Sequence, residues 1–434
     1  MTARDASTRR GFLSAAATAA AAGAVALAGC GEIGSGAAET PDPIPTGELP
    51  DVSRFEDTTP VLEDDLPVGI GSDRLRGSAD RVTELLGTLP LPLEPADVPN
   101  GHVRRQLREA AEAATDGLDA ARSATTRLAA LNSLRRARAE ARYAAEGWAF
   151  VAEGRTVADL RAERSETAAD AEAVRSAQEY RGDDRIRAVV LHAYVEEFTR
   201  RALDDRDRSA ETGRLLTVAE WGERAESTRA YLGDARYARD RFEASLPPEA
   251  ESFEGTFAGA AETLRAELTR RRDALPPEPD DGGDVGSAER LRHRLRRDAV
   301  RRAEDAPDPE RPAGAVTDAV AGLAGFSAYD RLRERIEDGE RFEVETGADV
   351  REFRSAAVES VSAALEASPR PTLARRVLAD AARSIAYGDD ELARYRGSVR
   401  PGRLDDPIRR YVTATVRARS VPGACEDVIE ALYD

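Results

Sequence analysis

The stretch Leu107-Arg108-Glu109-Ala110-Ala111-Glu112-Ala113-Ala114-Thr115-Asp116-Gly117-Leu118-Asp119-Ala120-Ala121 decides the architecture of this chain. Its apolar positions Leu107, Ala111, Ala114, Leu118 and Ala121, continued by Thr125 and Leu128, recur four and three residues apart. That is the seam of a helix packed along another helix. Farther on the spacing becomes Leu131, Leu134, Ala137, Ala141, Ala144, Trp148, Val151, a phase shift near Asn132 that predicts either overwinding or a break. Unbroken from His102 to Glu153 the helix would run about 78 Å at ~1.5 Å per residue. Alanine at so many seam positions implies close helix approach with little area buried per residue, so length substitutes for bulk.

Helical spacing continues outward over 157–180, 185–203, 215–246, 249–275, 288–303, 313–324, 328–336, 348–367, 372–386, 406–419 and the terminal 425–433. Pro247-Pro248, Pro276-Pro277 and Pro307 to Pro312 punctuate these segments, and no strand-like alternation interrupts them. The pattern predicts an all-α, elongated multi-helix bundle, with coiled-coil-like long helices in the N-terminal half and shorter helices in the C-terminal half. Residues 74–275 read as the long-helix bundle, 276–287 as a linker and 288–434 as a C-terminal helical domain. One bundle with a long exposed loop fits the same pattern. An echo links Leu107-Arg108-Glu109-Ala110-Ala111 to Phe353-Arg354-Ser355-Ala356-Ala357, and Arg135-Arg136 to Arg375-Arg376; Ala-rich helices produce such echoes by composition alone.

Ahead of the helices, residues 30–73 are rich in Gly, Pro, Thr, Asp and Glu and poor in large apolar side chains. They read as a flexible acidic tether. The chain begins with Arg4, Arg9 and Arg10, then Gly11-Phe12-Leu13, then an uncharged Ala-rich run from Ala15 to Ala28. These are the n-region and h-region of a signal peptide, and the run falls short of the roughly 18–20 residues a membrane-spanning helix needs.

Thr8-Arg9-Arg10-Gly11-Phe12-Leu13 resembles the twin-arginine export signature, and Leu27-Ala28-Gly29-Cys30 resembles a lipobox. The resemblance to twin-arginine-exported lipoproteins covers about residues 1–35. It implies that residues 1–29 are removed and that the twin-arginine translocase is a partner during export. It further implies that Cys30 joins membrane lipid and that the mature chain sits at the extracellular face of the cytoplasmic membrane. One acyl chain gives only marginal attachment, so firm anchoring implies a two-chain lipid.

The formal charge is −18, and because residues 1–29 hold three arginines against Asp5, the remainder is more acidic still. Lysine is absent and Asn occurs only at Asn100 and Asn132. Lys-free acidic chains of this kind resemble proteins of extreme halophiles, and the lipoprotein resemblance is therefore of haloarchaeal type. At molar salt the screening length falls to about 3 Å, which makes dense surface carboxylates tolerable. Such a charge excludes nucleic acid as a partner, because phosphate contacts need clustered cations. Locally, Arg290-Leu291-Arg292-His293-Arg294-Leu295-Arg296-Arg297 with Arg301 and Arg302 is basic, which suits either anionic lipid headgroups or an acidic polymer, or a solvated face paired with acidic neighbours.

Motifs for chemistry fail on inspection. There is no His-Glu-x-x-His, no Gly-x-Ser-x-Gly elbow, no phosphate loop and no Cys pair. Cys425 reads as a small buried hydrophobe. The most apolar segment, Ile186 to Phe198, places His192 and Glu196 four residues apart on one helical face and sets Glu197 near the apolar face, where a carboxylate needs a partner. Two readings follow: a metal or proton-handling pair, or hydrogen-bonded structural residues with Glu197 paired to arginine. Tyr143, Trp148, Phe150, Trp221, Tyr231, Tyr237 and Phe242 read as core fillers or as the lining of a groove. The sequence supports a membrane-anchored helical binding or structural module without a cofactor, and the alternative is a helical metal-binding protein or enzyme centred on His192 and Glu196. It names neither the ligand nor a protein or cell-envelope partner.

Overall fold

The computed structural model describes residues 42–52, 66–204, 214–277, 286–305 and 308–434, and the long Ala-rich seam folds back on itself within it. Helix α1 spans Ser72–Leu86, α2 Gly101–Ser123 and α3 Arg127–Ala152. Asn100 caps α2 by accepting from His102 N–H and Val103 N–H, and Thr126, in extended backbone, caps α3 by accepting from Ala129 N–H. The chain therefore breaks at Ala124–Thr126 instead of overwinding, a few residues before the phase shift, and the single 102–153 helix is replaced by an antiparallel pair. Two glycines let that pair close. A methyl on Gly117 would stand 2.8 Å from the Cβ of Ala137, and one on Gly147 would overlap Leu107.

Helices α4 (Val157–Ser176), α5 (Arg185–Leu203) and α6 (Arg214–Glu243) complete the N-terminal half, with α6 antiparallel to α3. Along the α3–α6 seam, charges are buried where alanines alone were expected. Asp234 accepts from Arg135 Nε at 3.0 Å and from Arg74, and Glu226 accepts from Arg138 Nε at 2.8 Å and from Arg81 and Arg229 at 3.3 Å. Arg142 and Arg155 both meet Glu146 and Glu163. Small residues bring the backbones close, and arginine stems span the seam to the buried carboxylates.

The C-terminal half contains α7 (Glu254–Asp273), α8 (Ser287–Asp305), α9 (Pro312–Glu337), α10 (Gly347–Ala367), α11 (Pro371–Leu392), α12 (Asp405–Ala418) and α13 (Val421–Tyr433). Helix α9 unites the two segments expected at 313–324 and 328–336 into one helix as long as α3. It is buried nearly all round, from Ala313 to Leu332, as a central helix should be. Helices α5, α7, α8 and α13 pack against it. A second buried ionic group, Arg354 donating twice to Asp389 at 2.8 Å with Tyr411 Oη donating at 2.7 Å, ties α10, α11 and α12 together. The protein is thus an all-α multi-helix bundle.

Among the described residues the only strands are two-residue antiparallel pairs, β1 (Ile44–Pro45) with β4 (Ser398–Val399) and β2 (Arg181–Gly182) with β3 (Glu251–Ser252). The first pair corrects the reading of 30–73 as tether at its described residues. Ile44, Leu49 and Val52 are buried in the main core, and Leu66 and Ile70 form another cluster with Leu128 and Leu131. Scattered single apolar residues in a Pro/Gly-rich stretch carry no periodic signal, so a packed non-helical arm looked like tether. The expected division at 276–287 shifts as well. Helix α7 packs on α9 and α13, which puts Pro276-Pro277 inside the C-terminal half, and one core cluster runs from Ile44 to Leu432.

Candidate functional site: an arginine-rich cleft

Helix α5 organises the polar centre of the molecule. His192 is buried, its Nε2–H donating to the Arg181 carbonyl at 2.9 Å, with Gln178 Nε2 3.4 Å from Nδ1. Burial holds its pKa below the ordinary value, which keeps the ring neutral, and it packs edge-on against Phe242. Glu196 does something sequence reading did not foresee. Helix α9 starts with Pro312 and receives no cap from its own Arg311; instead Ala313 N–H donates to Glu196 Oε1 at 3.2 Å and Gly314 N–H to Oε2 at 2.5 Å, with Tyr180 Oη donating at 2.8 Å. A carboxylate on α5 thus satisfies the orphan amides of another helix. Burial nevertheless pushes its pKa up to about 7 against the pull of Gly314, Tyr180 and Ala313.

Glu197, one residue on, meets Arg200 at 2.9 Å, Arg201 at 2.6 Å and Arg311 at 3.4 Å. Burial acts to raise its pKa, but Arg200 and Arg201 outweigh it and hold the carboxyl at about 2. Its contribution to stability is therefore complete above the ordinary value of 4.5 and is lost as pH falls from there toward 2. Glu197→Gln should cost on the order of 2 kcal/mol at pH 7 and progressively less below pH 4.5, measured as the wild type minus variant difference in urea unfolding. A difference that does not change with pH would contradict the pairing.

Beyond Glu197 a cleft of about 460 Å³ opens between α3, α5 and α6 on one side and α8, α9 and α11 on the other. Six arginines line it, Arg135, Arg136 and Arg201 from the first side and Arg302, Arg376 and Arg383 from the second, against three carboxylates, Glu197, Asp318 and Asp380. Each carboxylate is already shared. Asp318 meets Arg376 at 3.3 Å and Arg311 at 3.5 Å, and Asp380 meets Arg302 at 3.5 Å as well as Arg383. Arg136 is exposed and has no carboxylate partner among the described residues. Guanidiniums carry five donors apiece and cannot be discharged, so the lining has donors and positive charge in excess.

Part of the wall is apolar. The Tyr194 and Phe198 rings lie 3.9 Å apart between centroids, and Arg135 packs on both Phe198 at 4.2 Å and Tyr231 at 4.5 Å while paired to Asp234. Val190 and Ala193 add apolar lining from α5, and Leu373 and Val377 add it from α11. Convergent polar groups on an apolar wall at a seam between two halves form the usual environment of a ligand.

Other sequence candidates are placed elsewhere. Arg9, Arg10, Phe12, Leu13, Leu27, Ala28, Gly29 and Cys30 lie outside the described residues. Of the aromatic set only Tyr231 lines the cleft, while Phe242 is core and Tyr237 Oη accepts from Gly71 N–H at 2.6 Å. Cys425 is buried, its thiol pushed up to about 12 by desolvation and Glu426. The basic α8 stretch pairs largely with its surroundings, Arg292 with Glu289 and Arg301 with Asp298, and sends Arg302 into the cleft. Among the described residues no three His, Cys, Asp or Glu side chains converge as a metal site would require, and no helix is long and apolar enough to cross a membrane.

Residues 73–249 match a family model described as a domain of unknown function, DUF8262, and residues 254–430 match another, DUF8264. The two matched segments meet between α6 and α7, so the cleft takes three of its arginines from each. No curated protein and no solved structure matches the chain.

Proposed function

We propose that this chain is exported through the twin-arginine route, held at the outer face of the cell membrane by lipid on Cys30, and binds an anionic ligand in the cleft between its two halves. The observation that carries the binding part is the charge of the lining: six arginines face three shared carboxylates in a chain whose formal charge is −18. Local positive charge in so acidic a molecule raises the local concentration of anions, and bidentate guanidinium contacts survive screening better than distant charges do. The Lys-free acidic composition supports a halophilic setting outside the cell, where export of an already folded chain is an advantage.

The test is linkage. In molar KCl at fixed ionic strength, millimolar citrate should raise the melting temperature of the wild type by about 2–4 °C at a hundredfold excess over Kd. The shift should disappear in Arg136→Gln/Arg376→Gln. Preferential exclusion of citrate stabilises both proteins alike, so only the difference between them counts. Equal shifts in the two proteins would overturn the reading.

A further inference from the structure

The cleft's lining combines guanidinium donors with apolar side chains, and that combination specifies more than an anion. Arg136, Arg376 and Arg383 are exposed and come from α3 and α11. Arg376 and Arg383 each share their carboxylate with another arginine, Asp318 with Arg311 and Asp380 with Arg302. An incoming group with several acceptor oxygens therefore finds three guanidiniums whose donors are only partly used. The same lining holds apolar side chains, Tyr194 and Val190 partly buried and Phe198 and Val377 buried. Arg135, which also lines the cleft, is already engaged. It donates to Asp234 and Asn132 and lies against the Phe198 and Tyr231 rings, so its donors are largely engaged.

A bare inorganic anion would use the arginines and leave the apolar lining wet. A neutral apolar molecule would cover that lining and leave the guanidiniums uncompensated. Resting on the reading of the cleft as an anion site, we infer that its ligand is an amphiphilic organic anion, with a carboxylate, sulfonate or phosphate head set against Arg136, Arg376 and Arg383 and an apolar body laid against Tyr194 and Val190. A volume of about 460 Å³ admits a small organic molecule of that kind. Because the head engages α11 and the body lies on α5, the ligand bridges the two halves.

The probe pair is 8-anilinonaphthalene-1-sulfonate and N-phenyl-1-naphthylamine, which share the aromatic body and differ in the charged head. Each is titrated by fluorescence into the full chain carrying Cys30→Ser, in about 2 M KCl so that long-range attraction is screened. The sulfonate should bind saturably, about tenfold tighter than its uncharged analogue and than inorganic sulfate in competition. Arg136→Gln and Arg376→Gln, both at exposed positions, should each weaken the sulfonate by about three- to tenfold and leave the uncharged analogue unchanged. If the uncharged analogue binds equally well and neither substitution matters, the inference falls, and the citrate experiment says whether the anion reading falls with it. If inorganic sulfate competes as tightly as the dye weight for weight of charge, the amphiphile inference falls and the anion reading stands. Absence of saturable dye binding also overturns the inference, while the citrate experiment decides the anion reading on its own.

Discussion

Replacing Glu226 by Ala is expected to destabilise the protein by about 3–5 kcal/mol, the cost of leaving a buried ionic partner uncompensated. The Glu226 side chain is fully buried and Arg138 keeps only a tenth of its exposure. One carboxylate oxygen accepts both the Nε and the Nη2 of Arg138, and the other accepts from Arg81 and Arg229. Arg81 and Arg229 retain Glu84 and Glu163 when Glu226 is removed, and both reach solvent. Arg138 has no such outlet, so it carries most of the loss. Screening by salt does little for a pair this deep. Arg138→Met/Glu226→Leu, which removes both charges and fills the space, should therefore lie within about 1–2 kcal/mol of wild type. Urea unfolding in molar KCl compares the three proteins. A Glu226→Ala protein within about 1 kcal/mol of wild type would mean that water reaches the α3–α6 seam.

That seam also marks where sequence reading stops. Its helices were legible because helical spacing is local: 185–203 was read residue for residue as α5, and Leu131, Leu134, Ala137, Ala141 and Ala144 are all buried as their spacing requires. Arg135, Arg138 and Arg142 recur three and four apart between them, and on sequence alone that is the signature of a solvated face. Only the approach of α6, which brings Asp234 and Glu226 from about ninety residues away, turns Arg135 and Arg138 inward, while α4 brings Glu163 to Arg142. The same limit hid the cleft. Arg136, Arg302 and Arg376 stand in three separate Ala- or Arg-rich helices, and nothing in their spacing announces that α3, α8 and α11 share a wall. Glu196 was legible as unusual, since a carboxylate on an apolar helix needs donors. Its partners are backbone amides of α9, which carry no residue identity and leave no trace in composition. The arm at Ile44, Leu49 and Val52 was misread for a related reason, because single apolar residues between prolines have no period to detect.

The second large effect concerns location. Neutralising Arg9 and Arg10 together should block export, because the translocase reads that pair ahead of the apolar run; Cys30→Ser should permit export but leave no thiol for lipid. The two variants therefore fail in different compartments. Without the lipid, what is left for attachment is at most the Ala-rich run, which is too short and too weakly apolar to hold a chain in a bilayer. The described body adds no helix able to do so.

The claim that this helical body works outside the cell on a lipid anchor is tested most directly by fractionating cells that carry wild type or Cys30→Ser and probing membranes and medium with an antibody to the folded domain. The account predicts wild type with the membranes and Cys30→Ser released largely into the medium. Identical partitioning of the two would contradict it, and would make the N-terminus an ordinary signal or an uncleaved anchor.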